Sequence, residues 1–458
     1  MPSHVLHRQM HAPLPVVASG DGAWLIDQDG QRYLDASGGA AVSCLGHSHP
    51  KVIEAIKAQL DDMAYAHSAF FTNRPAEQLA ARLSDRAPGG AWRVAFLSGG
   101  TEANEAALKL ARQIHLERGD EERTRFIARN QSYHGASLAM MALAGNKARR
   151  KPYEAIFGDG LFDGVMRHIP ACYAYRGRRE DETEAEYGLR SAAALEAEIQ
   201  ATGPGRVAAF VAETVVGATI GAVAAAPGYF KEVRRICDDH GVFLILDEVM
   251  CGMGRTGTLF ACEQEGVVPD MIVVAKGLGA GYQPIGAVLV REELAQSIEI
   301  GSGLLRQGHT YMTHATACAG ANAVLQTIDD EGLLAKVRSG GERLIGLFRD
   351  KLGQHANIGD IRGRGYFIGV ELVADRETKQ PFPRSLSLAD RIKKCAMANG
   401  LVCYPSNGTS DGTDGDHVLI APPFIISDAE HEQLTDRLSK SIEQALTEAG
   451  VEGHGQAA

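Results

Sequence analysis

The stretch Met271-Ile272-Val273-Val274-Ala275-Lys276-Gly277-Leu278-Gly279-Ala280-Gly281 sets a cation at the end of an apolar run and follows it with three alternating glycines. A short continuous run rich in β-branched residues reads as a strand buried on both faces. An amine at the end of such a strand needs a partner or a chemical use, because an unpaired buried charge is costly. Upstream, Val242-Phe243-Leu244-Ile245-Leu246 ends in the same way in Asp247-Glu248, and Phe96-Leu97-Ser98-Gly99-Gly100-Thr101 opens a helix with small and hydroxyl residues. Three strand ends thus offer an amine, a carboxylate and an anion cradle.

Between about residues 75 and 330, strand-like runs at 94–97, 125–128, 207–211, 243–246, 271–275 and 287–290 alternate with helical patterns. That alternation predicts crossover units and an α/β fold with a mainly parallel sheet between helices. In such sheets ligands bind beyond the carboxyl ends of the strands, where Ser98, Asp247 and Lys276 all fall. The trio suits pyridoxal phosphate. Lys276 supplies an amine that condenses with the aldehyde, Asp247 holds the ring nitrogen protonated, and helix-start amides bind the phosphate.

The flanks read differently. Residues 23–35 form two short strands around Asp29-Gly30, a hairpin. Beyond residue 330 the chain has a helix, apolar runs at 365–370 and 418–420, and an amphipathic helix from Asp428 to about Ala449, before a tail at 453–458 expected to fray. The expected organisation is an N-terminal segment and hairpin (1–60) that joins the small domain, a large cofactor-binding domain (61–330), and a small C-terminal α+β domain (331–458). No internal repeat is visible, and the Gly/Ser/Asp-rich stretch 406–416 is too short for a domain linker.

Composition narrows the function. The 458 residues are 45% hydrophobic and 22% charged, as in ordinary globular proteins. A net charge of −11 argues against a nucleic-acid surface, and the short basic clusters at 149–151 and 176–179 read as solvated loop charges. Eight cysteines lack CxxC or His-rich spacing, so neither zinc nor a disulfide framework is expected, only buried free thiols. No apolar run approaches the ~18 residues that span a bilayer, and residues 1–14 do not read as a signal peptide. Cytoplasmic residence and small-molecule chemistry are the expectation.

Seven motifs carry a family resemblance over nearly the whole chain: Leu45-Gly46-His47-Ser48-His49-Pro50, Ser98-Gly99-Gly100-Thr101-Glu102-Ala103-Asn104, Tyr133-His134-Gly135, Asp247-Glu248-Val249 with Gly252, Gly254-Arg255-Thr256-Gly257, Lys276-Gly277-Leu278-Gly279, and Ala421-Pro422-Pro423. Together they resemble the class III, or ω-, aminotransferases of the fold type I pyridoxal phosphate enzymes. The resemblance implies a seven-stranded, mainly parallel sheet flanked by helices, and a homodimer or dimer of dimers with shared active sites. It gives Lys276 the covalent hold on the cofactor and the later proton transfer, Asp247 the ring nitrogen, Val249 one ring face and Tyr133, beside His134, the other. Gly99, Gly100 and Thr101 become the phosphate cradle at a helix beginning near Glu102, and Thr310 the contact to the neighbouring subunit's phosphate. Glu213 falls on the substrate side of the cofactor.

The chain departs from the family where relatives hold a substrate carboxylate. Arginines of different subgroups are replaced by Ala136 after Tyr-His-Gly, by Val418-Leu419-Ile420 before Ala-Pro-Pro, and by Tyr404 in the loop upstream. A bidentate arginine fork is a strong and specific carboxylate receptor, so its absence disfavours γ-aminobutyrate, ornithine and acetylornithine as donors. It also leaves Glu213 free to face a cationic or hydroxylated amine. An acceptor keto acid, pyruvate above all, still needs a cation, for which Arg74, Arg149, Arg150 and Arg306 are candidates. The expected activity is transfer of an amino group from a primary amine or ω-amino compound to a keto acid by a ping-pong mechanism. The alternatives are an aminomutase or racemase, or a phospho-lyase acting on amino-alcohol phosphates.

Overall fold

A computed structural model describes residues 4–11, 13–157, 162 and 164–451. The tail expected to fray at 453–458 lies outside the described residues.

Seven strands make the central sheet: β1 (Trp92–Leu97), β2 (Arg125–Arg129), β3 (Met166–Ile169), β4 (Val207–Glu213), β5 (Phe243–Asp247), β6 (Met271–Val274) and β7 (Gly286–Arg291), in the order β1-β7-β6-β5-β4-β2-β3. Strands β3, β2, β4, β5 and β6 pair in parallel, and β7 runs antiparallel between β6 and β1. The mainly parallel α/β sheet read from the alternation is therefore present. Strands β4, β5 and β6 are buried along their full length, as strands covered on both faces must be. Edge strand β3, Met166-Arg167-His168-Ile169, has no apolar run and escaped the sequence reading; only its last residue is buried. The helix after β1, Gly100–Glu117, packs on β6 and β7 and buries Ala103, Ala106, Ala107 and Ala111, small side chains that let the helix lie close to the sheet. It begins at Gly100, two residues before the expected start.

The hairpin at 23–35 forms from Trp24–Asp27 and Arg32–Asp35. Its turn places Gly30 at φ 80°, and Asp27 Oδ1 accepts from the amides of Asp29 and Gln31 at 3.0 and 2.9 Å. The short strand Leu401–Val402 pairs in parallel with Arg32–Asp35, which ties the start of the chain to its C-terminal part. The later apolar runs fall on Phe367–Leu372 and Asp416–Ile420, adjacent strands of an antiparallel four-stranded sheet. The last helix, Asp428–Glu448, starts in a capping box made by Ser427 and Glu430.

All eight cysteines are buried and unpaired. Among the described residues no helix is long and apolar enough to cross a membrane, and no group of three or more His, Cys, Asp or Glu could hold a metal ion.

Candidate active site

Parallel pairing carries the site residues to one edge of the sheet. Asp247 at the end of β5 lies opposite Glu213 at the end of β4, and on its other side opposite Val273 of β6, three residues before Lys276. The chain leaves β6 in a tight turn, Lys276–Leu278, with Lys276 at φ 45°. A left-handed backbone costs energy for a residue with a Cβ, so packing holds Lys276 at its position. Nine of the ten residues singled out from sequence line one cavity of about 430 Å3 here, with Thr310 outside it.

Asp247, 3% exposed, is held by three hydrogen bonds at the cavity. Its Oδ2 accepts from His134 Nδ1 at 2.8 Å and Asn104 Nδ2 at 2.9 Å, and its Oδ1 from the Val249 amide at 3.0 Å. The His134 contact places the proton of a neutral imidazole on Nδ1. Asn104 also donates to the carbonyl oxygens of Gly100 and His134, at 3.2 and 2.9 Å, and so links helix, loop and strand. Its role did not emerge from sequence reasoning. The available signal was an asparagine set among Ala103, Ala106 and Ala107 on a face that must be buried.

Across the cavity, Lys276 is half-buried in the wall, and loss of solvation pushes its pKa down to about 8. Asp247 and Glu213 oppose that shift, and the Arg149 charge adds to it. Such an amine has a substantial unprotonated fraction near neutrality, as a nucleophile and proton carrier requires.

The anion cradle is fitted closely. Helices leave their first amides without an internal acceptor, and Gly99, Gly100 and Thr101 open an 18-residue helix at the cavity wall. A Cβ on Gly100 would lie 2.9 Å from Val249 Cγ1, and Gly135, at φ 148°, would bring one to 2.8 Å from Thr101 Oγ1. Thr101 Oγ1 accepts from the Ala136 amide at 3.2 Å, which joins the cradle to the Tyr133 loop.

One expectation meets a different arrangement. Glu213 is not free: its Oε1 accepts from the Tyr133 amide at 3.1 Å, its Oε2 from the Gly217 amide at 2.9 Å, and its backbone carbonyl from buried Arg129. Burial raises its pKa. The carboxylate therefore braces the loop that carries Tyr133. Glu213→Gln replaces one acceptor with an amide that faces a donor, and is expected to lower stability by about 1–2 kcal/mol in urea unfolding. Thr310 is exposed, its carbonyl accepting from Tyr65 Oη at 2.6 Å, while its neighbour His309 lies 3.9 Å from Glu102.

Of the four candidate cations, Arg149 alone touches a residue of the cavity wall, its guanidinium 4.4 Å from the centre of the Tyr133 ring. Arg150 turns inward to the carbonyls of Ala142 and Ala144 and to His168, Arg306 sits beside Gln113 and Glu117, and Arg74 opens a separate helix.

The residues present fit pyridoxal 5'-phosphate. An amine stands at one side, a carboxylate with spare lone pairs at the other, an apolar side chain and an aromatic ring supply walls, and a helix start supplies the anion site. Comparison with known proteins agrees. The family described as aminotransferase class-III matches residues 5–442. An uncharacterized aminotransferase of Schizosaccharomyces pombe is 43% identical over 94% of this chain and 93% of its own length. An amine transaminase from an uncultivated Pseudomonas species, with pyridoxal phosphate bound, superposes with a TM-score of 0.88 at 31% identity, covering 97% and 99% of the two chains. An aminotransferase from Vibrio fluvialis, in its pyridoxamine phosphate-bound form, gives 0.85 at 32% identity over 95% and 94%. Fold, pocket chemistry and relatives converge: this chain belongs to the class III aminotransferases and is a pyridoxal phosphate-dependent transaminase of fold type I.

Proposed function

We propose that the enzyme takes the amino group of a primary amine or ω-amino compound and gives it to a keto acid, with pyruvate the favoured acceptor. The observation that carries this reading is the opposition of Lys276, an amine whose pKa burial lowers to about 8, to Asp247, held by His134 and Asn104 with a lone pair to spare, in a cavity with no arginine at the family's usual carboxylate positions. Without that fork, a donor gains nothing from a carboxylate beside its amine.

When bound, pyridoxal phosphate supplies an aldehyde that captures amines and a ring that draws electron density from the carbon losing a proton. The protein does the rest. Gly99, Gly100 and Thr101 fix the phosphate; Val249 and Tyr133 confine the ring between them. Asp247 holds a proton at the ring nitrogen, with His134 and Asn104 fixing its orientation. Lys276 Nζ would tether the cofactor and, once free, would take the proton that the donor carbon loses, and the donor would leave as a carbonyl product. The keto acid then enters the same site and the steps reverse, which makes the kinetics ping-pong.

The active unit in this reading is a homodimer in the cytoplasm, with Thr310 reaching the partner's phosphate. Its support is the exposure of Phe70 (78%), Phe71 (66%) and Tyr311 (60%), large rings that a monomer would leave in water. The large domain would span 61–330, with 1–60 and 331–458 forming the small one.

An absorbance experiment tests the function. Added alone, a productive amine should bleach the visible band of the bound cofactor, and pyruvate should restore it. A keto-acid-independent rearrangement of the amine would mean an aminomutase or racemase, and phosphate release from an amino-alcohol phosphate would mean a phospho-lyase.

A further inference from the structure

We propose that Arg149 is the acceptor-carboxylate receptor of this enzyme, an arginine stacked on Tyr133 that takes over from the fork missing near Ala421-Pro422-Pro423. The inference rests on the transaminase reading above and names the residue that makes a keto acid the acceptor.

The usual positions are closed to a cation. Ala136 cannot carry one, and Tyr404 packs against an apolar cluster that includes Met250, Val215 and Ala41. A keto acid brings a full negative charge into a partly desolvated cavity, which is costly without a partner. Arg149 is placed to supply that partner. Its guanidinium lies over the ring of Tyr133, and its charge is felt at Lys276, the residue next to the reacting atoms. Stacking holds the plane of the group and leaves its N–H edge open for a bidentate contact. Among the described residues no carboxylate pairs with Arg149, whereas its neighbour Arg150 is committed to the carbonyls of Ala142 and Ala144.

The stretch 406–416 supports the segment that bears Arg149. Gln131 Nε2, two residues before Tyr133, donates to the carbonyls of Gly408 and Thr409 at 3.2 and 3.0 Å. Gly412 lies against the Lys147 side chain, its Cβ position 3.6 Å from Lys147 Cβ. Asn146 Oδ1 caps the turn by accepting from the Arg149 amide at 3.0 Å. The loop thus braces both ends of the segment from Gln131 to Arg149. Donor and acceptor use one site in turn, so an exposed arginine that engages only the acceptor also leaves room for an uncharged amine substituent.

Steady-state kinetics of the holoenzyme with one amine donor, and with pyruvate or propanal as acceptor, test this. Propanal offers a reactive carbonyl without the carboxylate. Arg149→Gln should raise the KM for pyruvate about 10–100-fold, the loss of a charge-assisted hydrogen-bonded pair, with kcat changed only a few-fold. The kcat/KM for propanal should change far less, Arg149→Lys should recover part of the pyruvate KM, and Arg306→Gln, away from the cavity, should behave as the unaltered enzyme. An unchanged pyruvate KM in Arg149→Gln overturns the inference. So does a parallel fall with propanal, which would mean that Arg149 only positions Tyr133. If the unaltered enzyme is bleached by amines but accepts no keto acid, the transaminase reading itself fails, and that result is visible before any variant is compared.

Discussion

Replacing Lys276 with alanine is expected to lower transamination by roughly 10^4-fold or more, because in the proposed mechanism one side chain serves as both covalent tether and proton carrier. The cavity should survive the change. Among the described residues the Lys276 side chain makes no hydrogen bond, its carbonyl bonds to the Gly279 and Ala280 amides remain, and its left-handed backbone is no worse for alanine than for lysine. The variant should therefore fold, bind pyridoxal phosphate without attaching it, and release it on gel filtration. Retention of more than about one part in a hundred of the activity would mean that another base moves the proton. The same residue sets a pH dependence. With its pKa lowered to about 8, the amine of the cofactor-free protein should capture pyridoxal phosphate at a rate that rises through pH 8 and then levels off, where an ordinary lysine would still be gaining near pH 10. The stability sign follows. Between about pH 8 and the ordinary lysine value the unfolded chain binds the extra proton, so this group makes the folded state more stable as pH rises there. Below pH 8 both states are protonated, and the cost of the buried charge is constant.

Most of the framework was legible because strong periodicity and local chemistry coincide. Strands β4, β5 and β6 are apolar end to end, so their strand character and their polar termini, Glu213, Asp247 and Lys276, could be read together. Strand β3 was not legible, since a half-exposed edge strand has neither alternation nor an apolar run. Side-chain roles were harder than positions. Glu213 stood at the right place, but its hydrogen bonds reach Tyr133 and Gly217, contacts that arise from folding of loops and leave no local pattern. Asn104 had a visible oddity, a polar residue on a buried helical face, yet its partners Asp247 and His134 come from two other segments. Arg149 lay in a basic cluster that composition assigns to solvent, and only the tertiary path of the chain separates it from inward-turned Arg150.

Asp247→Asn is expected to cost about 10^2–10^4-fold in kcat, the kinetic equivalent of removing one member of a buried charged pair worth several kcal/mol. The carboxylate is needed because the ring nitrogen must keep its proton while charge builds on the ring, and a neutral amide stabilises that proton far less. Asparagine is close in volume, so the cavity should not collapse. It does disturb the local network: Asp247 accepts from His134, Asn104 and the Val249 amide, and an NH2 group in that position must face at least one donor. A modest loss of thermal stability should accompany the large kinetic loss, and the two separate when melting and turnover are measured on the same preparation. The variant carries a second signature. Asp247 raises the Lys276 pKa, so its neutralisation should move that titration below about 8, in the direction that makes Lys276 a weaker base. A variant whose holoenzyme melts near the unaltered temperature and turns over hundreds of times more slowly, and whose cofactor-free form shows the lower Lys276 titration, is what proton retention by Asp247 requires. One that retains activity within about tenfold would show that the ring nitrogen is served without this charge.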